Sequence, residues 1–174
     1  FERVIVWGRN PDAARECAEY ALGAGCAHVE VAASVAAAAA DADVICTVTG
    51  SPTAILSGRD VRKGTHLCLV GASIPTSREV DDDLVAMSRY FVDYRGSALA
   101  QAGELLDAIK AGRVTAAHIL GEIGDVLSGA VPGRLADDDV TVYKSLGVAA
   151  QDLVSALVVY RHALERGLGT AAEL

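Results

Sequence analysis

The sequence predicts an α/β fold built on a doubly wound parallel sheet, and three observations carry that prediction. Short apolar runs rich in β-branched residues recur along the first half of the chain. Segments with helix-capping chemistry alternate with them. Each of the main runs closes on glycine or small polar residues. Strands alternating with helices at this pace imply right-handed βαβ units. The composition agrees: 52% of the 174 residues are apolar, with few aromatics and much alanine, which suits helices laid on a sheet and not a disordered chain.

Taken in order, Arg3–Trp7 reads as a strand buried on both faces. Asn10, Pro11 and Asp12 then supply a cap, a first-turn proline and an acid for the helix dipole. That helix runs to about Ala24, where Gly23 and Gly25 end it. His28–Ala32 is a second strand, and Ser34 caps a short alanine helix. Asp43–Thr49 is a third strand, broken by Gly50–Thr53. His66–Val70 is a fourth, ending at Gly71–Ser73. A helix over Val80–Ser88 leads to a fifth strand at Tyr90–Asp93. Ala98–Ala111 and Ala117–Leu127 read as helices, and Val140–Tyr143 as a short strand. From about Gly147 to Arg166 a long helix carries a one-sided apolar stripe at Val148, Leu153, Ala156, Leu157, Tyr160 and Leu164. The stripe suits packing against the rest of the subunit, with a dimer seam as the alternative. The expected division is 1–139 for the sheet domain and 140–174 for a C-terminal segment that leaves it.

Charge narrows the function classes. At net −8 the chain repels phosphate backbones, which argues against a nucleic-acid partner. No apolar run approaches the ~20 residues that a bilayer requires, so no membrane partner is expected. Val31–Ala40, the richest stretch, is mostly alanine and ends in Asp41. No basic-then-apolar leader is visible, but the first residue is Phe1 rather than Met, so the natural N-terminus is expected to lie further upstream. Cys17, Cys26, Cys46 and Cys68 show no C-x-x-C spacing and read as free, buried thiols in a reducing compartment, hence a cytoplasmic protein. No metal site is expected, because His28, His66, His118 and His162 are scattered without Cys or Glu at ligand spacing. The run Asp81–Asp83 reads as a solvated helix start, Asp137–Asp139 as an exposed loop, and the Glu122/Asp125 pair as a solvated helix face.

Chemistry is expected at the strand ends, since open α/β sheets bind ligands outside the carboxyl edges of their strands. Three such ends are small, polar or glycine-containing: Gly8, Arg9 and Asn10; Thr49, Gly50 and Ser51; Val70, Gly71, Ala72 and Ser73. They let a ligand approach the backbone. In a dinucleotide fold of the Rossmann type, the second strand ends near the adenosine ribose. A carboxylate there suits NAD, and an arginine suits the 2′-phosphate of NADP. The strand ending at Arg9 has no carboxylate, so NADP(H) is the preferred cofactor and NAD(H) the alternative.

Four segments together resemble the ornithine cyclodeaminase/mu-crystallin family: Val70–Asp81 (VGASIPTSREVD), Gly121–Asp125 (GEIGD), Pro132–Arg134 (PGR) and Thr141–Asp152 (TVYKSLGVAAQD). The resemblance runs from the strand at Val6–Arg9 almost to the C-terminus. It implies a Rossmann-type sheet lacking its first strand and glycine-rich turn, both expected before Phe1. It also implies a C-terminal helix belonging to a substrate and dimerisation domain, and a homodimer. By that resemblance Gly8, Arg9 and Asn10 surround the adenosine phosphate, and Thr49, Gly50 and Ser51 line the dinucleotide cleft. Val70 packs near the nicotinamide, Ser145 approaches it from the C-terminal segment, and Ser73 faces a small amino- or imino-acid substrate. Ornithine cyclodeaminases carry aspartate where this chain has Ser73, and a serine hydroxyl cannot serve as that base at neutral pH. The resemblance therefore implies an NAD(P)H-dependent reductase of a ketimine or cyclic imino acid, or an amino-acid dehydrogenase run in reverse. The alternatives are a cyclodeaminating lyase with tightly held NAD, and a non-catalytic small-ligand binder.

Overall fold

The computed structural model describes residues 1–170 and 172; residues 171, 173 and 174, at the end of the expected 140–174 segment, lie outside the described residues. Its β-branched runs form strands where the sequence places them. β1 (Val4–Val6) pairs in parallel with β2 (Val29–Val31), Val4 opposite Val29. Between them runs α1 (Pro11–Gly23), whose cap is Asn10: its side-chain oxygen accepts the Asp12 amide at 2.9 Å. β1 is half-buried throughout rather than buried on both faces, because only β2 pairs with it among the described residues.

Ser34 caps α2 (Val35–Ala39) through the Ala37 amide at 3.1 Å. Then follow β3 (Val44–Thr47), β4 (His66–Leu69), α3 (Asp82–Met87) and β5 (Arg89–Val92). The helix expected over Ala98–Ala111 is two, α4 (Arg95–Gln101) and α5 (Gly103–Lys110), with Ala102 extended between them. The break lets Gly103 press its Cα against the Ser77 carbonyl, an approach that any Cβ would block.

The expected helix over Ala117–Leu127 is also corrected. Ile119–Glu122 forms β6, and only Ile123–Leu127 is helical, as α6. Ile119 and Gly121 turn inward while Leu120 is exposed, a two-residue alternation set by pairing with β5. The last strand, β7 (Thr141–Lys144), precedes α7 (Ala149–Arg166).

β3, β4, β7, β5 and β6 form one all-parallel sheet in that order. The strand assigned to the departing C-terminal segment is thus the middle strand, between β4 and β5. A boundary at residue 139 would separate β7 from the sheet in which it pairs on both sides. Leu67, Leu69, Tyr90, Val92 and Val142 fill one face and pack with Leu84, Val85, Ala98, Leu105 and Ala108 from α3, α4 and α5. Burying each of these leucines contributes about 1.5–3 kcal/mol. The opposite face holds His66, Cys68 and Tyr143, all half-buried. Cys17 and Cys46 are exposed and Cys26 and Cys68 half-buried, so the four free thiols are not the buried ones expected. Cys46 and Cys68, the two on the strands, lie opposite each other in the β3–β4 ladder.

The apolar stripe of α7 does not pack on the described chain. Leu153 is 71% exposed and, of the whole helix, only Ala163 is even half-buried. No helix among the described residues is long and apolar enough to cross a membrane.

Candidate functional site

Because the five strands are parallel, their carboxyl ends leave the sheet along one edge. There the chain ends are knitted by backbone bonds past the last ladder pairs. The Val70 amide donates to the Thr47 carbonyl at 2.9 Å, the Ser145 amide to Leu69 at 3.0 Å, and the Asp93 amide to Lys144 at 3.3 Å. The ends of β3, β4 and β7 therefore converge, and β5 joins them from the far side.

Glu79 holds the β3 and β4 ends together. Its side chain is fully buried, and its carboxylate accepts the Thr47 hydroxyl at 2.7 Å, the Thr49 amide at 2.5 Å and the Gly71 amide at 2.8 Å. Three donors replace the water that a buried carboxylate loses. The Glu79 main-chain carbonyl accepts the Ile55 and Leu56 amides at 2.9 and 3.1 Å, which also anchors the loop after Ser51. Gly71 is required by this packing, since a Cβ there would overlap the Thr49 backbone and the Glu79 carboxylate.

Asp93 does the same at the ends of β5 and β7. Its carboxylate accepts the Tyr94 amide at 2.8 Å and the Leu146 and Gly147 amides at 2.6 Å each. Beneath the edge lies a buried ion pair: Lys144 Nζ is 2.9 Å from Glu104 Oε1, with both side chains fully buried. Lys144 also donates to the Ala72 carbonyl. Burial pushes the Glu104 carboxyl above the usual carboxylate range, against the opposing pull of Lys144. Among the described residues, neither Glu104 oxygen nor the buried Tyr90 hydroxyl has a well-aligned hydrogen-bond partner.

The residues expected at the site divide into two groups. Thr49, Gly50, Ser51, Val70, Ser73 and Ser145 lie on the converging ends of β3, β4 and β7. Thr49 is held by Glu79 and accepts the Ser51 amide at 3.3 Å, while the Ser51 hydroxyl donates to the Thr53 carbonyl at 2.7 Å. Gly50 is exposed, and a Cβ built on it would meet nothing within 4 Å. Val70 is 43% exposed although it follows a buried strand, and Ser73 is exposed. Gly8, Arg9 and Asn10 form the other group, at the end of β1 in the two-stranded sheet. No backbone hydrogen bond among the described residues joins that sheet to the larger one. Arg9 is exposed, and the Asn10 side chain is engaged in capping α1.

Glu79, Asp93, Glu104 and Lys144 were not singled out by the sequence reading. One signal was available: Lys144 lies two residues after Val142 in a strand, so it shares that inward face and must find an acid there. Two open clefts lie beside α3, both lined by Ala54, Asp81 and Asp83. The larger, of about 510 Å³, is lined by Ala54, Leu56, Ser57, Arg59, Asp60 and Asp81. Asp81 is structural in that wall: it caps α3 through the Leu84 amide at 2.9 Å and accepts the Ser57 hydroxyl at 2.5 Å.

Known proteins extend these observations. Mouse (Mus musculus) ketimine reductase mu-crystallin is 40% identical over 160 residues, 92% of this chain and 47% of that protein. Δ1-pyrroline-2-carboxylate reductase of Paracoccus denitrificans is 36% identical over 161 residues, 92% of this chain and 51% of that protein. The chain thus spans about half the length of these curated relatives. A solved structure of Δ1-pyrroline-2-carboxylate reductase from Thermococcus litoralis, in complex with NADH and L-proline, superposes with a TM-score of 0.94 at 29% identity, over 98% of this chain and 53% of that one. The model of the ornithine cyclodeaminase/mu-crystallin family matches residues 1–167, and with these likenesses in sequence and fold the chain belongs to that family.

Proposed function

We propose that the protein carrying this chain is an NAD(P)H-dependent reductase of a ketimine or cyclic imino acid, or an amino-acid dehydrogenase running that reaction in reverse. One observation carries the reading: the ends of β3, β4 and β7 meet at an edge whose exposed residues are small, neutral or apolar, with the acids wired inward. Glu79 and Asp93 are satisfied by backbone and hydroxyl donors, so they hold loops in place and do not present free carboxylates to a pyrophosphate. The open space over Gly50 lets a nucleotide phosphate approach the backbone closely. Exposed Val70 offers an apolar seat for a nicotinamide ring, with Ser145 on the neighbouring strand end. These residues fit the cofactor that the solved relative holds.

When bound, reduced nicotinamide supplies the hydride for the C=N carbon. The chain's own part is to bind and orient. Thr49, Gly50 and Ser51 line the dinucleotide, and Ser73 donates or accepts a hydrogen bond on the substrate side. A serine there lacks the charge that cyclodeamination assigns to that place, so reduction is favoured over ornithine cyclisation. Arg9 meets the adenosine 2′-phosphate, with Gly8 and Asn10 beside it, which makes NADP(H) the preferred cofactor. The exposed α7, in the segment 140–174, belongs with the substrate and dimerisation part of a homodimer. Four free thiols suit a reducing, cytoplasmic setting.

The test is to give the full-length protein NADPH or NADH with pyrroline-2-carboxylate or piperideine-2-carboxylate and follow the absorbance of the reduced cofactor. Loss of absorbance with either imine is expected. No loss with any imine, alongside conversion of ornithine to proline and ammonia, reverses the assignment. Cofactor binding with no turnover of any amino or imino acid marks a binding protein instead.

A further inference from the structure

The buried Lys144–Glu104 pair is an unusual feature of this core, and the mechanism above does not use it. Taking a lysine and a glutamate out of water is costly. An apolar pair of similar volume in such a place is often no less stable. Stability alone therefore does not explain the pair, and its third contact does. Leu69 is the last residue of β4 in register with β7, where it faces Lys144. Beyond it the chain runs through Val70, Gly71 and Ala72 to Ser73 with no further ladder partner on β7. The Gly71 amide is held by Glu79 at 2.8 Å, and the Ala72 carbonyl is held by Lys144 Nζ. Ala72 is itself fully buried, so its carbonyl has no water to turn to.

We infer that Lys144 and Glu104 are positioning residues: Glu104 on α5 fixes the Lys144 ammonium, and the ammonium fixes the Ala72 carbonyl, which sets where Ser73 presents its hydroxyl. This inference rests on the functional reading only in taking Ser73 to face the substrate. Among the titratable groups around the pair, Glu79 and Tyr90 also interact electrostatically with Glu104. Neither supplies it with a hydrogen bond, which leaves Lys144 as its one charged partner among the described residues.

The decisive variant replaces both members, Lys144→Met with Glu104→Leu, in the full-length protein. A purely structural pair predicts that this repacked core restores both stability and catalysis. A positioning pair predicts a melting temperature near wild type, faster hydrogen exchange over Ala72–Ile74, and kcat lowered about 10–100-fold with KM little changed, as expected when a group near the reacting atoms is displaced by about 1 Å. Wild-type exchange over Ala72–Ile74 together with wild-type kcat overturns the inference. One measurement needs no variant. A buried ammonium bonded to Ala72 exchanges its protons slowly and gives a heteronuclear NMR signal for Lys144, whereas exchange at the solvent rate overturns the inference directly. Should the wild-type protein reduce no imine, the functional reading fails alone, and the exchange and NMR results still decide whether the pair holds the turn.

Discussion

The carboxylate of Glu79 accepts the amide of Gly71 at 2.8 Å across a gap that only a glycine leaves open. With its bonds to Thr47 and Thr49, this acid ties two parallel strand ends into one rigid edge. Glu79→Ala leaves three donors without an acceptor and should lower unfolding free energy by at least about 3 kcal/mol, at about 1–3 kcal/mol per orphaned group. Glu79→Gln keeps one acceptor and should fall between the two. Urea unfolding of the three proteins reads the order directly; a Glu79→Ala curve that overlays wild type contradicts the role.

Two glycines on the same edge should respond in opposite ways. Gly71→Ala places a methyl against the Thr49 backbone and should destabilise by about 1–3 kcal/mol, the usual cost of overpacking. Gly50→Ala meets open space and should leave stability within about 0.5 kcal/mol of wild type. If a dinucleotide runs over Gly50, that same methyl weakens cofactor binding. Thermal melts and cofactor titrations of both variants separate the fold's requirement from the ligand's.

His66 gives the fold a dependence on pH. Burial, followed by the positive charge of Arg134, holds its imidazole below the ordinary value. The neutral ring lies 2.8 Å from the Thr141 hydroxyl. A base with a depressed folded pKa takes up a proton on unfolding, so the unfolded chain binds more protons. Its contribution is complete above the unfolded value, about pH 6.5, and declines as pH falls below that toward the depressed folded value. The melting temperature should drop on acidification from about pH 7 to about pH 5.5, and His66→Gln should flatten that slope. Parallel slopes for the two proteins would remove His66 from the account.

Arg9 is the test of cofactor choice. A charge-assisted bond to a phosphate contributes about 1.5–3 kcal/mol, so Arg9→Ser should weaken NADPH binding roughly 10–100-fold and leave NADH little changed. Calorimetric titration of both cofactors against both proteins measures it. Equal losses for NADPH and NADH would place Arg9 away from the 2′-phosphate.

Most of the fold was legible because its signals are local. β-Branched runs mark the strands, and Asn10 and Ser34 cap the helices that follow them. What was not legible depends on distant partners. Ile119 and Leu120 precede Ile123, Val126 and Leu127 at helical spacing, and only pairing with β5 makes the first part a strand. The break at Ala102 follows from the contact of Gly103 with Ser77, twenty-six residues back in the chain. The place of β7 in mid-sheet is likewise a long-range fact. At the candidate site, the small residues on the strand ends were readable from where the apolar runs stop. The acids beneath them were not, because Glu79 and Glu104 look like surface residues until the fold buries them.

The most direct measurement is a crystal structure of the full-length protein with NADPH bound. The dinucleotide should lie across the carboxyl ends of β3, β4 and β7, with its phosphates over Gly50 and its nicotinamide against Val70. Density for the cofactor in the cavity beside Asp81, or on the amino-terminal edge of the sheet, would contradict the assignment.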